Sequence, residues 1–180
     1  MADPRPAKSI EARYSVFHNV SMTLVAFLMV ASGAFYVGGS SNAPAASIND
    51  PRFVMFILLG IAMAYYGTIG LRRALDRTPQ VIIDADGIAL GFGRNERFAW
   101  NDLQWVKLHR IAIRPSLQIG LTTEAFLGAN LSLSMWNLDD PLKSIRGMPT
   151  AFALRDNGLD TRAASLLDGV RRFRPDLVKS

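Results

Sequence analysis

Cysteine is absent from the 180 residues. That excludes disulfides, thiolate metal sites, iron–sulfur clusters and thiol nucleophiles together, and leaves the compartment open. Histidine is nearly absent: His18 falls in an apolar run and His109 in a strand-like one, and no second ligand accompanies either. Charge is also scarce, at 19% of residues against 49% hydrophobic. The shortage is uneven. Residues 1–78 hold seven Lys/Arg and four Asp/Glu, a net +3; residues 79–180 hold thirteen and eleven, a net +2. The second half has the composition of an ordinary soluble domain. It lacks the concentrated basic stripe of a nucleic-acid binder, so no nucleic-acid partner is expected.

What is abundant is uninterrupted apolar sequence. Val16 to Val37 contains no Asp, Glu, Lys or Arg and one histidine, His18, and Phe53 to Leu71 contains no charge over nineteen residues. At about 1.5 Å of rise per residue the second run spans roughly 28 Å, close to the hydrocarbon thickness of a bilayer. Small residues at 31–34 make a cleaved signal peptide the rival reading of the first run, but signal h-regions are shorter, and a retained span is expected. Residues 1–15 read as a polar tail, and the turn-prone loop 38–51 joins the two spans. Arg5, Lys8 and Arg13 precede the first span, Arg72, Arg73 and Arg77 follow the second, and the loop holds no basic residue. The positive-inside rule then puts both termini in the cytoplasm and the loop outside, as a multi-pass hairpin over 16–77 in the cell inner membrane. The three arginines after the second span are candidates for contact with anionic headgroups. Gly60, Ala64, Gly67 and Thr68 form a small-residue stripe. It serves either packing on the first span, through Ala26, Ser32 and Gly33, or a homodimer seam. Pro79 stops the second helix, which is expected to run to about Arg77.

From residue 79 the pattern changes. Gln80–Asp84 and Ile88–Phe92 are β-rich runs around Asp86-Gly87, a hairpin signal. Further strand-like runs follow at Arg97–Trp100, Trp105–Ile113 with a bulge expected between Leu108 and Ile111, Leu117–Leu121, Leu131–Met135 and Phe152–Leu154. Together they make about seven antiparallel strands. Leu159, Ala163, Leu166, Leu167, Val170 and Phe173 share one face of a closing amphipathic helix. Asp160 is its expected N-cap, Asp168 and Arg172 its expected i,i+4 pair, and Pro175 its stop. The expected fold is α+β: a transmembrane helical hairpin, then over 79–180 an antiparallel β-barrel or sandwich closed by a C-terminal helix.

Asp86-Gly87-Ile88 at the hairpin, Trp100-Asn101-Asp102-Leu103, and the strand–turn–helix run from Phe152 to Phe173 resemble an uncharacterised family of small bacterial membrane proteins. In that family two transmembrane helices precede a pleckstrin-homology-like domain. The resemblance implies that fold and brings no activity with it.

No arrangement of residues points to catalysis. Gly91-Phe-Gly93-Arg-Asn-Glu96 fails as a dinucleotide fingerprint, having Glu where a third Gly belongs and preceding a strand. Asp139-Asp140 precedes proline and reads as a turn, and the sequon at Asn130 falls in a segment expected to be cytoplasmic. Arg110 and Arg114 read as one basic strand face. The hairpin tip that holds phosphoinositides in pleckstrin-homology domains is acidic here. A non-enzyme is expected, without cofactor or metal, whose domain holds a protein partner. The alternative is a subunit or assembly factor acting through its helices; a lipid-headgroup binder or enzyme ranks below both.

Overall fold

The computed structural model describes residues 9–38, 47–111, 114–129, 131, 133 and 141–179. The chain divides into two compact units, Tyr14–Arg77 and the remainder.

The first unit is two helices, α1 (Val16–Gly38) and α2 (Pro51–Leu75). Both are long and apolar enough to cross a membrane. Phe17, Leu24, Phe27, Phe35, Ile61 and Leu71 all point outward, an arrangement suited to lipid and costly in water. Asp50 caps α2, its carboxylate accepting the Arg52 N–H at 2.9 Å, and Pro51 opens the helix. The helix ends at Leu75, two residues before the expected stop, with the Asp76 N–H donating to the Arg72 carbonyl.

The second unit begins before the helices do. Ile10–Arg13, expected to be part of a tail, is strand β1, and it pairs antiparallel with β2 (Pro79–Ile83), Ile10 opposite Ile83 and Arg13 opposite Pro79. Alternation explains the pairing: Ala12 is fully buried while Glu11 and Arg13 face outward. β3 (Gly87–Leu90) and β4 (Glu96–Ala99) complete a four-stranded sheet in sequence order. The Asp-Gly turn forms as expected. Gly87 sits at φ 148°, where a side chain would strike the Phe98 carbonyl.

After a 3-10 turn at Trp100–Asp102 the second sheet holds β5 (Leu103–Ile111), β6 (Arg114–Leu121), β7 (Leu142–Ile145), β8 (Met148–Arg155) and β9 (Val178–Lys179), in the order β7-β8-β6-β5-β9. The two sheets do not close into a barrel. Nine strands lie among the described residues where about seven were expected, and the β5–β9 pair is parallel. The β5 irregularity falls between Leu103 and Trp105, not between Leu108 and Ile111. A short helix, α3 (Thr123–Gly128), follows β6, and its N-cap Thr122 accepts the Ala125 N–H. Leu131 and Leu133 have no regular structure; the rest of the strand expected there lies outside the described residues.

The core lies between the sheets and under α4 (Ala163–Phe173). Val81, Ile83, Ile88, Leu90, Val106, Leu117, Ile119, Phe152 and Leu154 are all but inaccessible, and so are Ala163, Leu166 and Val170 of the helix. Phe98 meets Phe152 across the core at 6.1 Å, and Trp100 stacks on Phe173 at 6.0 Å. The helix start differs from expectation. Asp156, not Asp160, supplies the cap, accepting the Ala163 N–H at 3.0 Å. Asp160 is engaged with β1, where its carboxylate accepts the Arg13 N–H at 2.9 Å and its own N–H donates to the Arg13 carbonyl. Asp168 pairs with Arg171, one residue earlier than Arg172. Gly169 lies against β1: a Cβ there would come within 2.8 Å of Ile10 Cδ1.

β1 is thus a core strand. A chain starting at Thr78 is expected to melt well below one in which residues 9–13 are rejoined to Thr78 by a short glycine turn in place of 14–77. Equal melting temperatures in the two would show that β1 adds nothing to the fold.

Candidate functional site

The helix seam is built from small residues. Gly70 fits because a side chain would run into the Thr23 hydroxyl and come within 2.9 Å of the Asn19 carbonyl. The Thr23 hydroxyl lies 3.0 Å from the Asn19 carbonyl and 3.2 Å from that of Gly67 on the facing helix. A Cβ on Gly67 would stand 3.7 Å from the Ala26 Cβ, and one on Gly33 would meet the Phe56 ring. Of the predicted stripe, therefore, Gly67 packs on α1. A Cβ at Gly60 would meet nothing within 4 Å, and Ala64 and Thr68 are exposed, the Thr68 hydroxyl bonding its own Tyr65 carbonyl. Helical geometry accounts for the split: Ala64 and Thr68 turn roughly 60° and 100° away from Gly67. Ser32 likewise bonds its own helix, at the Leu28 carbonyl. Gly70 was missed in sequence, although its spacing of three from Gly67 was the available signal.

The three arginines expected to follow the second span differ from one another, and two of them lie within α2. Arg72 is exposed on the last turn of α2; Arg73 is half-buried, its guanidinium 5.3 Å above the Tyr14 ring; Arg77 is exposed beyond the helix end. The partly desolvated cation over an aromatic face is the arrangement in which that contact is strongest.

In the second unit the strands of the five-stranded sheet carry Lys107, Arg110, Arg114, Lys143, Arg155 and Lys179, and no Asp or Glu. Arg110 and Arg114 do not share one strand: they stand on β5 and β6, opposite Pro115 and Ile111. His109 is half-buried on β5, opposite Ser116. Carboxylates gather instead around the four-stranded sheet. Asp84 accepts the amides of Asp86 and Gly87 at 2.9 and 3.2 Å, and Arg97 grips both of its oxygens at 3.1 and 2.8 Å. Trp100 Nε1 donates to the Ala85 carbonyl at 2.9 Å. The acidic hairpin tip is thereby tied to β4. Burial pushes the Asp84 carboxyl up, but the Arg97 guanidinium and the turn amides outweigh it and hold the group below its ordinary value.

The Gly91–Glu96 segment is a tight turn with Phe92, Gly93 and Asn95 at positive φ; Gln80 holds it, its side-chain oxygen accepting the Phe92 N–H at 2.7 Å. Asp139, Asp140 and Asn130 lie outside the described residues. Among the described residues no three His, Asp or Glu side chains stand together as a metal site.

Two measurements test this geometry. In this cysteine-free chain, Ala26→Cys with Gly67→Cys is expected to oxidise to a disulfide without a coupling reagent, the Cβ separation lying in the range disulfides adopt; Ala26→Cys with Ala64→Cys is expected to stay reduced. The second concerns pH. Because the Asp84 pKa is lowered on folding, its contribution is full above the unfolded aspartate value of about 3.9 and is lost as pH falls through the folded value. The melting-temperature gap between wild type and Asp84→Asn is expected to be constant from neutral pH to about pH 5, then to shrink in stronger acid.

Compared with protein-family models, curated proteins and solved structures, the chain matches none.

Proposed function

We propose that this chain is a non-catalytic inner-membrane protein that holds a pleckstrin-homology-like binding module at the cytoplasmic face for a protein partner. The observation that carries the reading is the place of the helices in the chain. α1 and α2 are inserted between two paired strands, with two residues (Tyr14, Ser15) on one side and three (Asp76, Arg77, Thr78) on the other. Paired strands cannot lie on opposite faces of a bilayer, so the helices cross an even number of times. The basic residues flanking both links favour the cytoplasm for that side. A retained first span fits as well, because cleavage after α1 would remove a core strand. Two sheets of four and five strands with an amphipathic C-terminal helix support the pleckstrin-homology-like assignment. The acidic hairpin tip, tied to Arg97, favours a protein over a phosphoinositide as ligand.

A second reading, a subunit or assembly factor acting through its helices, draws on Ala64 and Thr68, which are exposed, turn away from the α1 seam and suit a further helix or a second copy. Exchanging both helices for an unrelated hairpin separates the two: retained function supports the module, lost function the helices.

A cytoplasm-only reporter fused after Ser180 is expected to be active, and one fused within residues 43–47 inactive; the reverse overturns the topology. Lengthening both links by about ten Gly/Ser residues costs the fold little, since loop closure grows slowly with length. It is expected to leave the melting temperature near wild type and to impair complementation of a deletion. Full complementation would reduce the short links to a simple tether.

A further inference from the structure

The outward face of the five-stranded sheet gathers cations without a counter-charge, and strand register places them. Val106, Leu117, Ile119, Phe152 and Leu154 are inaccessible on the inner face, so the residues alternating with them point outward. Lys107 stands opposite Gln118, and Gln118 opposite Ala153. In the next row His109 stands opposite Ser116, and Ser116 opposite Arg155. Two adjoining rows therefore cross β5, β6 and β8 on one face, with directly opposed side chains starting about 5 Å apart. Trp105 and Gly120 belong to the row beyond Lys107. A Cβ on Gly120 would strike the Trp105 indole, so that ring lies over the sheet and walls the cluster at one end.

Lys107, His109, Ser116 and Arg155 are half-buried, and among the described residues none has a side-chain hydrogen bond or ion pair. Gln118, between Lys107 and Ser116, is only 9% exposed, and its amide likewise has no partner. Burying an amide without a hydrogen bond is costly, so a group left in that state calls for a ligand atom to complete it. The strands of this sheet carry no Asp or Glu. Lys143, further along the Gln118 row, is buried and already engaged, so it stands outside the cluster.

We infer that Lys107, His109, Ser116, Gln118 and Arg155 form a binding site for the phosphate group of a soluble small molecule. The ammonium and guanidinium only donate, and the hydroxyl, the amide and the imidazole can each donate as well. Such a set suits an acceptor with several oxygens and more than one negative charge. A phosphate monoester is that group, carrying about −1.5 to −2 at neutral pH. The Arg155 fork matches two of its oxygens, and Lys107 serves as a point charge. The rim is polar and offers an acyl chain no apolar track, which favours a soluble ligand over a lipid headgroup. The cluster stands on the other sheet from the acidic hairpin tip, and it goes beyond the protein-partner reading without depending on it.

The test titrates the full chain, in phosphatidylcholine nanodiscs, with inorganic phosphate at constant ionic strength, read by tryptophan fluorescence against empty nanodiscs. The response is expected to saturate. Arg155→Gln and Lys107→Gln are each expected to raise the half-saturating concentration by about tenfold. Arg110→Gln, exposed and in the alternate phase of β5, is expected to leave it unchanged. Gln118→Leu is expected to weaken phosphate by about tenfold while the melting temperature stays at or above wild type, because the amide bonds nothing in the protein. Nanodiscs with phosphatidic acid, a membrane-held phosphate monoester, are expected to preserve the response. No saturable response, equal weakening in Arg110→Gln, or no weakening in Arg155→Gln or Gln118→Leu overturns the site. A response lost in the phosphatidic-acid nanodiscs overturns the soluble ligand in favour of a headgroup.

Discussion

Everything in this molecule hangs on one strand pairing. β1 and β2 lie side by side although the whole helical unit separates them in sequence, and Arg13 stands opposite Pro79 at the point where both strands give way to links. That pairing brings the start of α1 and the end of α2 back to neighbouring points of one sheet. It also makes the short polar segment before the helices part of the folded core. The supporting interactions converge on it from elsewhere: Asp160 bonds both main-chain groups of Arg13, and Gly169 clears space for Ile10.

The elements that could be read from sequence are those whose signal is local. Nineteen uncharged residues announce a helix long and apolar enough to cross a membrane, Asp86-Gly87 announces a turn, and the 3.6 spacing from Ala163 to Phe173 announces a buried helix face. β1 could not be read in this way. Ile-Glu-Ala-Arg is four residues beside prolines and charges, and what makes it a strand is a partner more than sixty residues away. The same reason hides β9, two residues long and paired in parallel with β5, and it explains the exchange of Asp156 for Asp160 at the helix cap. Asp160 is the better cap by sequence, but the Arg13 amide claims its carboxylate.

The candidate surfaces follow the same division. The arginines after the second span and the small-residue stripe were visible as composition, but which small residue touches which helix depends on rotation about the axis. Gly67 and Gly70 fall in the seam while Ala64 and Thr68 turn away. The Asp84–Arg97 clamp was invisible because its partners lie on different strands, and the shared face of Lys107, His109 and Arg155 emerges only once strand register is known.

The placement of the helices between β1 and β2 also bears on how the chain is synthesised. β1 leaves the ribosome first and must wait while more than sixty residues follow before its partner exists. As a random coil that gap would be a loop whose ends meet only against conformational entropy, at about 0.6 kcal/mol for each doubling of length. Packing of the helices changes the polymer physics, since two antiparallel rods side by side deliver their ends close together. The helical pair then acts as a folding template: once it has formed, much of the entropy of joining β1 to β2 has already been met. Nucleation of the four-stranded sheet is therefore coupled to formation of the helical pair, and a chain whose helices fail to pack must close that long loop unaided.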